Sequence, residues 1–244
     1  MAVSEDGGVS SDDTAAPRPL WRRITGSTWF HLIAAFVIVG AVLSFVAKPY
    51  YVPSGSMEQT LLPGDRVLVN RLSYAGSDPV TGDIVVFDAD DTWGPDAAAD
   101  DGPLKSALRW VGEVTGFGPS GSHTLIKRVI AGPGQTVSCC DAEGRLLVDG
   151  EPLDEPYIFE DLPFAAGALD CTTEPSSTRC LPEVTVPQNS YLVMGDHRSA
   201  SSDGAYPCRV VGADPDGCWR WATRDQIVGR AAVVLWPIGR WSGL

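Results

Sequence analysis

Basic side chains are in short supply: 18 Lys and Arg stand against 31 Asp and Glu, for a formal net charge of −13. A surface of that sign repels phosphate backbones, so nucleic acid is not expected as a partner. Histidine is scarcer, with only His31, His123 and His197 available to a Ser-His-Asp triad. None of the six cysteines shows the paired CxxC spacing of a zinc site, and neither a metal nor an organic cofactor is expected. Long apolar runs are also few. Residues 30–47 (FHLIAAFVIVGAVLSFVA) are the only uncharged run near the length of a bilayer core, and the closing stretch Ala231–Trp236 is too short to span.

What is present sorts into three parts. Residues 1–28 carry Ser, Asp, Gly, Ala and Pro with few large apolar side chains, which predicts a disordered cytoplasmic tail. Residues 29–47 read as a single transmembrane helix, with Trp21 and Trp29 before it and Tyr50 and Tyr51 after it as interfacial aromatics. Arg18, Arg22 and Arg23 precede the helix and Lys48 alone follows it closely, so the N-terminus should face the cytoplasm. A cleaved leader is disfavoured, because Lys48-Pro49-Tyr50-Tyr51 is bulky where a processing site needs small residues.

Residues 48–244 should form an extracytoplasmic antiparallel β domain, making the chain mainly β. Short apolar runs at 66–69, 84–87, 146–148, 191–194 and 232–235 read as strands, punctuated by Pro63-Gly64-Asp65, Thr81-Gly82-Asp83, Gly132-Pro133-Gly134 and Asp149-Gly150. An acidic inserted loop is expected over 88–122, with a short amphipathic helix near Leu104–Val114. All six cysteines lie beyond the anchor, on the oxidising side, which favours disulfides. Cys171–Cys180 and Cys208–Cys218 are the expected local pairs. Cys139 and Cys140 either bond to partners elsewhere or stay reduced as small buried hydrophobes.

Two segments carry candidate chemistry. Just beyond the anchor, Ser54-Gly55-Ser56 sits between Pro53 and Met57, and the backbone constraints there suggest hydroxyls held firmly near a bilayer surface. A serine hydroxyl is a poor nucleophile until a base takes its proton. His197 is one candidate base, although a polar turn residue is its simpler reading. The other is Lys127 in Leu125-Ile126-Lys127-Arg128-Val129-Ile130, where alternation puts the amine on the face of Leu125 and Val129. If that face points inward, burial disfavours the ammonium and leaves a usable amine.

These segments, taken in order, resemble the type I signal peptidases. Ser54-Gly55-Ser56-Met57 with Thr60-Leu61 is similar to that family's nucleophile box, Pro63-Gly64-Asp65 with Val67 to the next, and Gly82-Asp83-Ile84-Val85-Val86-Phe87 to the third. Lys127-Arg128-Val129 with Pro133-Gly134 is similar to its base box, and Gly195-Asp196-His197-Arg198 through Asp203 to its last. The resemblance implies that Ser56 is the nucleophile and Lys127 the general base of a serine endopeptidase. It implies that Ser54 donates to the oxyanion, that Ser201 orients the Lys127 amine, and that Asp203 is a supporting acid. It further implies preprotein signal peptides as substrates, a membrane partner, and a place near the secretion translocon.

Two departures stand out. Gln59 replaces a proline common after Met-Glu, a change expected to leave the hydroxyls in place. Ala205 stands where the family usually has an arginine beyond the acid, so Asp203 lacks its expected partner unless Arg198 or Arg209 supplies one. Three rivals share parts of the pattern: an anchored non-catalytic β domain, a self-cleaving Ser/Lys peptidase of the repressor type, and a sortase-like cysteine transpeptidase.

Overall fold

The computed structural model describes residues 21, 25–94, 123–210 and 212–244. Most of the expected tail, most of the acidic insertion and its helix near Leu104–Val114 lie outside the described residues. The chain divides into two compact units, residues 1–40 and 41–244.

The apolar run forms a helix over Thr28–Phe45, with no acidic residue in its first turn and no basic one in its last. Its large side chains are exposed on all sides, including Leu32, Ile33, Phe36, Val37 and Ile38. At about 1.5 Å per residue the helix is about 27 Å long, slightly short of a hydrocarbon core of about 30 Å. Among the described residues, no helix is long and apolar enough to cross a membrane. Ala47, expected inside the helix, instead opens strand β1 (Ala47–Tyr51), which pairs with β2 (Arg66–Asn70) from Ala47↔Asn70 to Tyr51↔Arg66.

The larger sheet continues through β3 (Ile84–Asp88), β4 (Thr124–Ala131), β9 (Ser190–Met194), β10 (Ala222–Thr223), β11 (Ile227–Trp236) and β12 (Ser242–Gly243). Its order is β1-β2-β11-β3-β4-β9-β10, with β12 on β11 and every pairing antiparallel. A second sheet of β5 (Thr136–Cys139), β6 (Leu146–Val148), β7 (Glu151–Pro152) and β8 (Val184–Thr185) has the order β7-β6-β5-β8. The runs expected as strands all lie in strands. The last belongs to a ten-residue strand, because β11 continues through Gly229 and Arg230, where the apolar pattern breaks. A side chain at Gly229 would meet the Asn70 carbonyl oxygen at 2.3 Å, so close strand packing explains the break.

Strands β3 and β4 are covered on both faces. Ile84, Val86 and Ile126 join a cluster with Val52, Met57, Leu61 and Val67, while Val85, Phe87 and Val129 pack with Tyr74, Trp93 and Tyr191. A third cluster, around Ile130, Val137, Leu146 and Trp219, covers the second sheet.

The cysteines bond as Cys171–Cys180 and Cys208–Cys218, as the spacing suggested, and Cys139 bonds to its neighbour Cys140. That last pair corrects both expectations for these two residues. Cys171 Sγ lies 3.9 Å from Cys140 Sγ but is already bonded to Cys180, and no described cysteine is free.

Phe87 is fully buried and meets the Trp93 ring edge-on at a centroid distance of 5.0 Å. Phe87→Ala should lower unfolding stability by about 3–5 kcal/mol, read as a lower denaturant midpoint with an unchanged slope.

Candidate active site

The segment after β1 is fixed at both ends by backbone bonds and pinned by its apolar residues. Val52 N–H donates to Asp65 O (2.9 Å), and Gly64 N–H donates to Val52 O (2.9 Å). Val52, Met57 and Leu61 are buried in the first cluster, which anchors the segment and fixes the polar residues between them. Ser54 Oγ and Ser56 Oγ lie 3.4 Å apart. Gln59 adopts φ 76°, a left-handed conformation closed to proline, whose ring fixes φ near −65°. The substitution therefore accompanies a differently shaped turn, with both hydroxyls still adjacent.

Opposite this turn, β4 delivers Lys127. Its side chain is 5 % exposed, and its Nζ lies 2.6 Å from Ser56 Oγ. Burial lowers the Lys127 pKa to about 8, against the opposing pull of the Asp203 and Asp196 charges. The expected inward amine is present. Alternation is not what buries it, since both faces of the strand are covered.

The neighbouring Arg128 has the opposite electrostatic fate. Its Nε donates to Asp196 Oδ1 (2.8 Å) and its Nη2 to Asp196 Oδ2 (2.6 Å), with Asp196 fully buried. Arg128 Nη1 also donates to Gly82 O (2.8 Å), and the guanidinium lies 3.8 Å from the centre of the Tyr157 ring. Thr60 Oγ1 donates to Asp196 Oδ2 (2.6 Å), so this ion pair joins the serine turn, β4 and the loop after β9.

That loop touches the nucleophile segment directly. His197 N–H donates to Ser56 O (3.1 Å). A Cβ at Gly195 would lie 2.4 Å from Ser56 O and 2.3 Å from Ser201 Oγ, so only glycine admits this approach. The His197 ring faces away from the dyad: Nδ1 lies 3.2 Å from Gly55 O and 3.0 Å from Glu58 Oε2, and Nε2 lies 3.3 Å from Glu160 Oε2. The structure brings no imidazole to Ser56 Oγ among the described contacts.

Ser201 Oγ is buried beside Gly195 with no hydrogen-bond partner, so the orienting bond to Lys127 expected of it is not formed here. Asp203 is fully buried and accepts from Arg209 Nη1 (3.2 Å) and from Ala205 N–H (3.2 Å). Arg209, rather than Arg198, supplies the missing cation. Arg198 is committed to a buried ion pair with Glu155.

Sequence reasoning gave no role to Arg128, Asp196, Thr60 or Gly195, although all four lie within the matching motifs. The available signal was chemical: an arginine in an otherwise apolar strand run requires a carboxylate partner.

A narrow groove runs between residues 50–57 and the start of β4, with Ser54, Ser56 and Lys127 on its walls beside Val52, Leu125 and Ile126. The β4–β9 ladder begins at Arg128↔Met194, so among the described residues no strand pairs with Leu125–Lys127 on that side.

A serine hydroxyl against a buried amine, on an antiparallel scaffold with no imidazole between them, defines a hydrolase of the Ser/Lys class. The profile of the signal peptidase family, peptidase S26, matches residues 26–236, and the chain belongs to that family. It is 35 % identical to signal peptidase I of Mycobacterium tuberculosis (strain ATCC 25618 / H37Rv), over 98 % of this chain and 82 % of the relative. It is 37 % identical to a probable signal peptidase I of Mycobacterium leprae (strain TN), over 88 % and 78 %. A solved signal peptidase I from Enterococcus faecalis V583 aligns at 20 % identity with a TM-score of 0.34, covering 63 % of this chain and 97 % of that one. The sequence matches make the protein a serine endopeptidase of the signal-peptide-processing kind.

Burying Lys127 costs stability with a defined pH signature. Its folded pKa of about 8 lies below the ordinary 10.5. Below pH 8 both folded and unfolded states are protonated and the cost is complete, at about 3 kcal/mol. Between 8 and 10.5 the unfolded chain holds more protons, and the cost fades as pH rises. Lys127→Met should therefore raise the unfolding midpoint at neutral pH, with the gain shrinking towards pH 10.5.

Proposed function

We propose that Ser56 is the nucleophile and Lys127 the general base that cleave signal peptides from secreted preproteins. The observation that carries this reading is the 2.6 Å approach of Lys127 Nζ to Ser56 Oγ, in surroundings that favour the neutral amine. Lys127 Nζ takes the Ser56 hydroxyl proton as Oγ bonds to the scissile carbonyl carbon. The resulting oxyanion accepts from Ser56 N–H and Ser54 Oγ–H. The Lys127 ammonium protonates the departing amine, leaving an ester on Ser56. Lys127 then deprotonates a water, which attacks that ester, and the ammonium returns the proton to Ser56 Oγ as the ester bond breaks and the acid is released.

The unpaired edge of Leu125–Lys127 suits a substrate bound as an added strand, with its carbonyl presented to Ser56. Asp203 supports the site electrostatically, while Ser201, whose hydroxyl lies beside Gly195 and bonds to nothing described, takes no part in orienting the amine.

The helix Thr28–Phe45, apolar all round and free of formal charge, is the single-pass anchor in this reading. The three arginines before it favour a cytoplasmic N-terminus, with residues 48–244 outside and near the translocon that would deliver the substrates. Six bonded cysteines fit that compartment and leave no thiol for a sortase-like mechanism.

Purified full chain in detergent should process a preprotein, with Ser56→Ala and Lys127→Ala each reducing cleavage by about 10³-fold or more. The wild-type kcat/KM should rise with pH along a limb near 8, as the amine loses its proton. Retention of cleavage by both variants would reject the dyad.

A further inference from the structure

Two carboxylates, Asp196 and Asp203, act electrostatically on the Lys127 amine, each favouring its charged form. They are neutralised very differently. Asp196 is held by two hydrogen bonds from Arg128, on the same strand as Lys127, and takes a third from Thr60. Among the described residues, Asp203 has one cationic contact, Arg209 Nη1 at 3.2 Å, and its Oδ2 has no hydrogen-bond partner. Arg198 also acts on Asp203, but its guanidinium is committed to Glu155. Glu58 and Glu160 face His197 rather than the amine.

Arg209 is an unusual source for that contact. It ends the short turn Tyr206–Arg209, outside the loop that carries Asp203, yet its side chain is only 8 % exposed. The adjacent Cys208 is bonded to Cys218, and both cysteines pack against the cluster containing Ala205 and Trp219. The cross-link restrains the backbone directly before Arg209. Arg209 Nε has no partner among the described residues, so the contact with Asp203 accounts for the guanidinium's described polar bonding.

We propose that Arg209, clamped by the Cys208–Cys218 cross-link, is a positioning residue that neutralises Asp203 and thereby keeps Lys127 available as the base at near-neutral pH. Its position compensates for Ala205, since the cation arrives from further along the chain and depends on the cross-link to stay in place. With the guanidinium removed, an uncompensated Asp203 carboxylate holds the proton on Lys127, and more alkaline conditions are needed to free the amine.

The inference rests on Lys127 as the base, and the test separates the two claims. The pH dependence of kcat/KM for a preprotein is measured on the full chain in detergent for wild type, Arg209→Gln, Arg209→Lys and Cys208→Ser/Cys218→Ser. Arg209→Gln should move the acid limb alkaline by about 0.5–1 unit. That corresponds to a loss of about three- to tenfold below the limb and little loss above it. Arg209→Lys should restore most of the wild-type limb, and the double serine variant should shift it in the same direction as Arg209→Gln. A uniform loss at every pH, or a lysine variant that behaves like glutamine, overturns the assignment. Should Arg209→Gln not fold, the serine variant decides, because an unmoved limb there removes the clamp. If Lys127→Ala remains active, the base assignment fails instead, whatever Arg209 does.

Discussion

A lysine and an arginine stand side by side on β4, and their different access to carboxylates determines the chemistry of the site. Arg128 meets Asp196 in a bidentate, largely enclosed pair that serves as a structural element. Lys127 is just as enclosed but has no carboxylate within hydrogen-bond reach among the described contacts, so burial works against its charge. Exchanging the partners would exchange the roles: an acid touching Lys127 would hold the ammonium, and a lone arginine could not give up its proton. The pair at Arg128 also ties Thr60, β4 and the loop after β9 together, setting the distance between the amine and the hydroxyl.

Much of this was legible because local pattern and function coincide. The β-branched runs, the turns between them, the two short disulfide loops and the Ser/Lys motifs are all readable within a few residues of sequence. Less accessible were contacts across long separations. Thr60 and Asp196 are 136 positions apart, and nothing local to either predicts that they meet. Strand β1 was hidden because Lys48-Pro49-Tyr50-Tyr51 reads equally well as an interfacial flank, and its strand character comes from pairing with β2. The lower part of β11 was missed because Gly229 looks like a break until the Asn70 carbonyl is seen against it.

The departures from the family pattern show where sequence identity and structural role separate. Gln59 marks a changed backbone conformation, because its φ is one that proline cannot adopt. Ala205 marks a cation that has moved rather than disappeared, with Arg209 reaching back to Asp203. The orienting serine of the family pattern is present in sequence without its bond, since Ser201 Oγ lies beside Gly195 and bonds to nothing described.

The edge of β4 beside Ser56, unpaired among the described residues, would in the proposed reading select by conformation before it selects by side chain. A segment laid along Leu125–Lys127 must bring its own amides and carbonyls unengaged, and a helix or a settled sheet has already committed them internally. By the proposed function, polypeptide still threading out of a channel would qualify, whereas a finished globular protein drifting past would not.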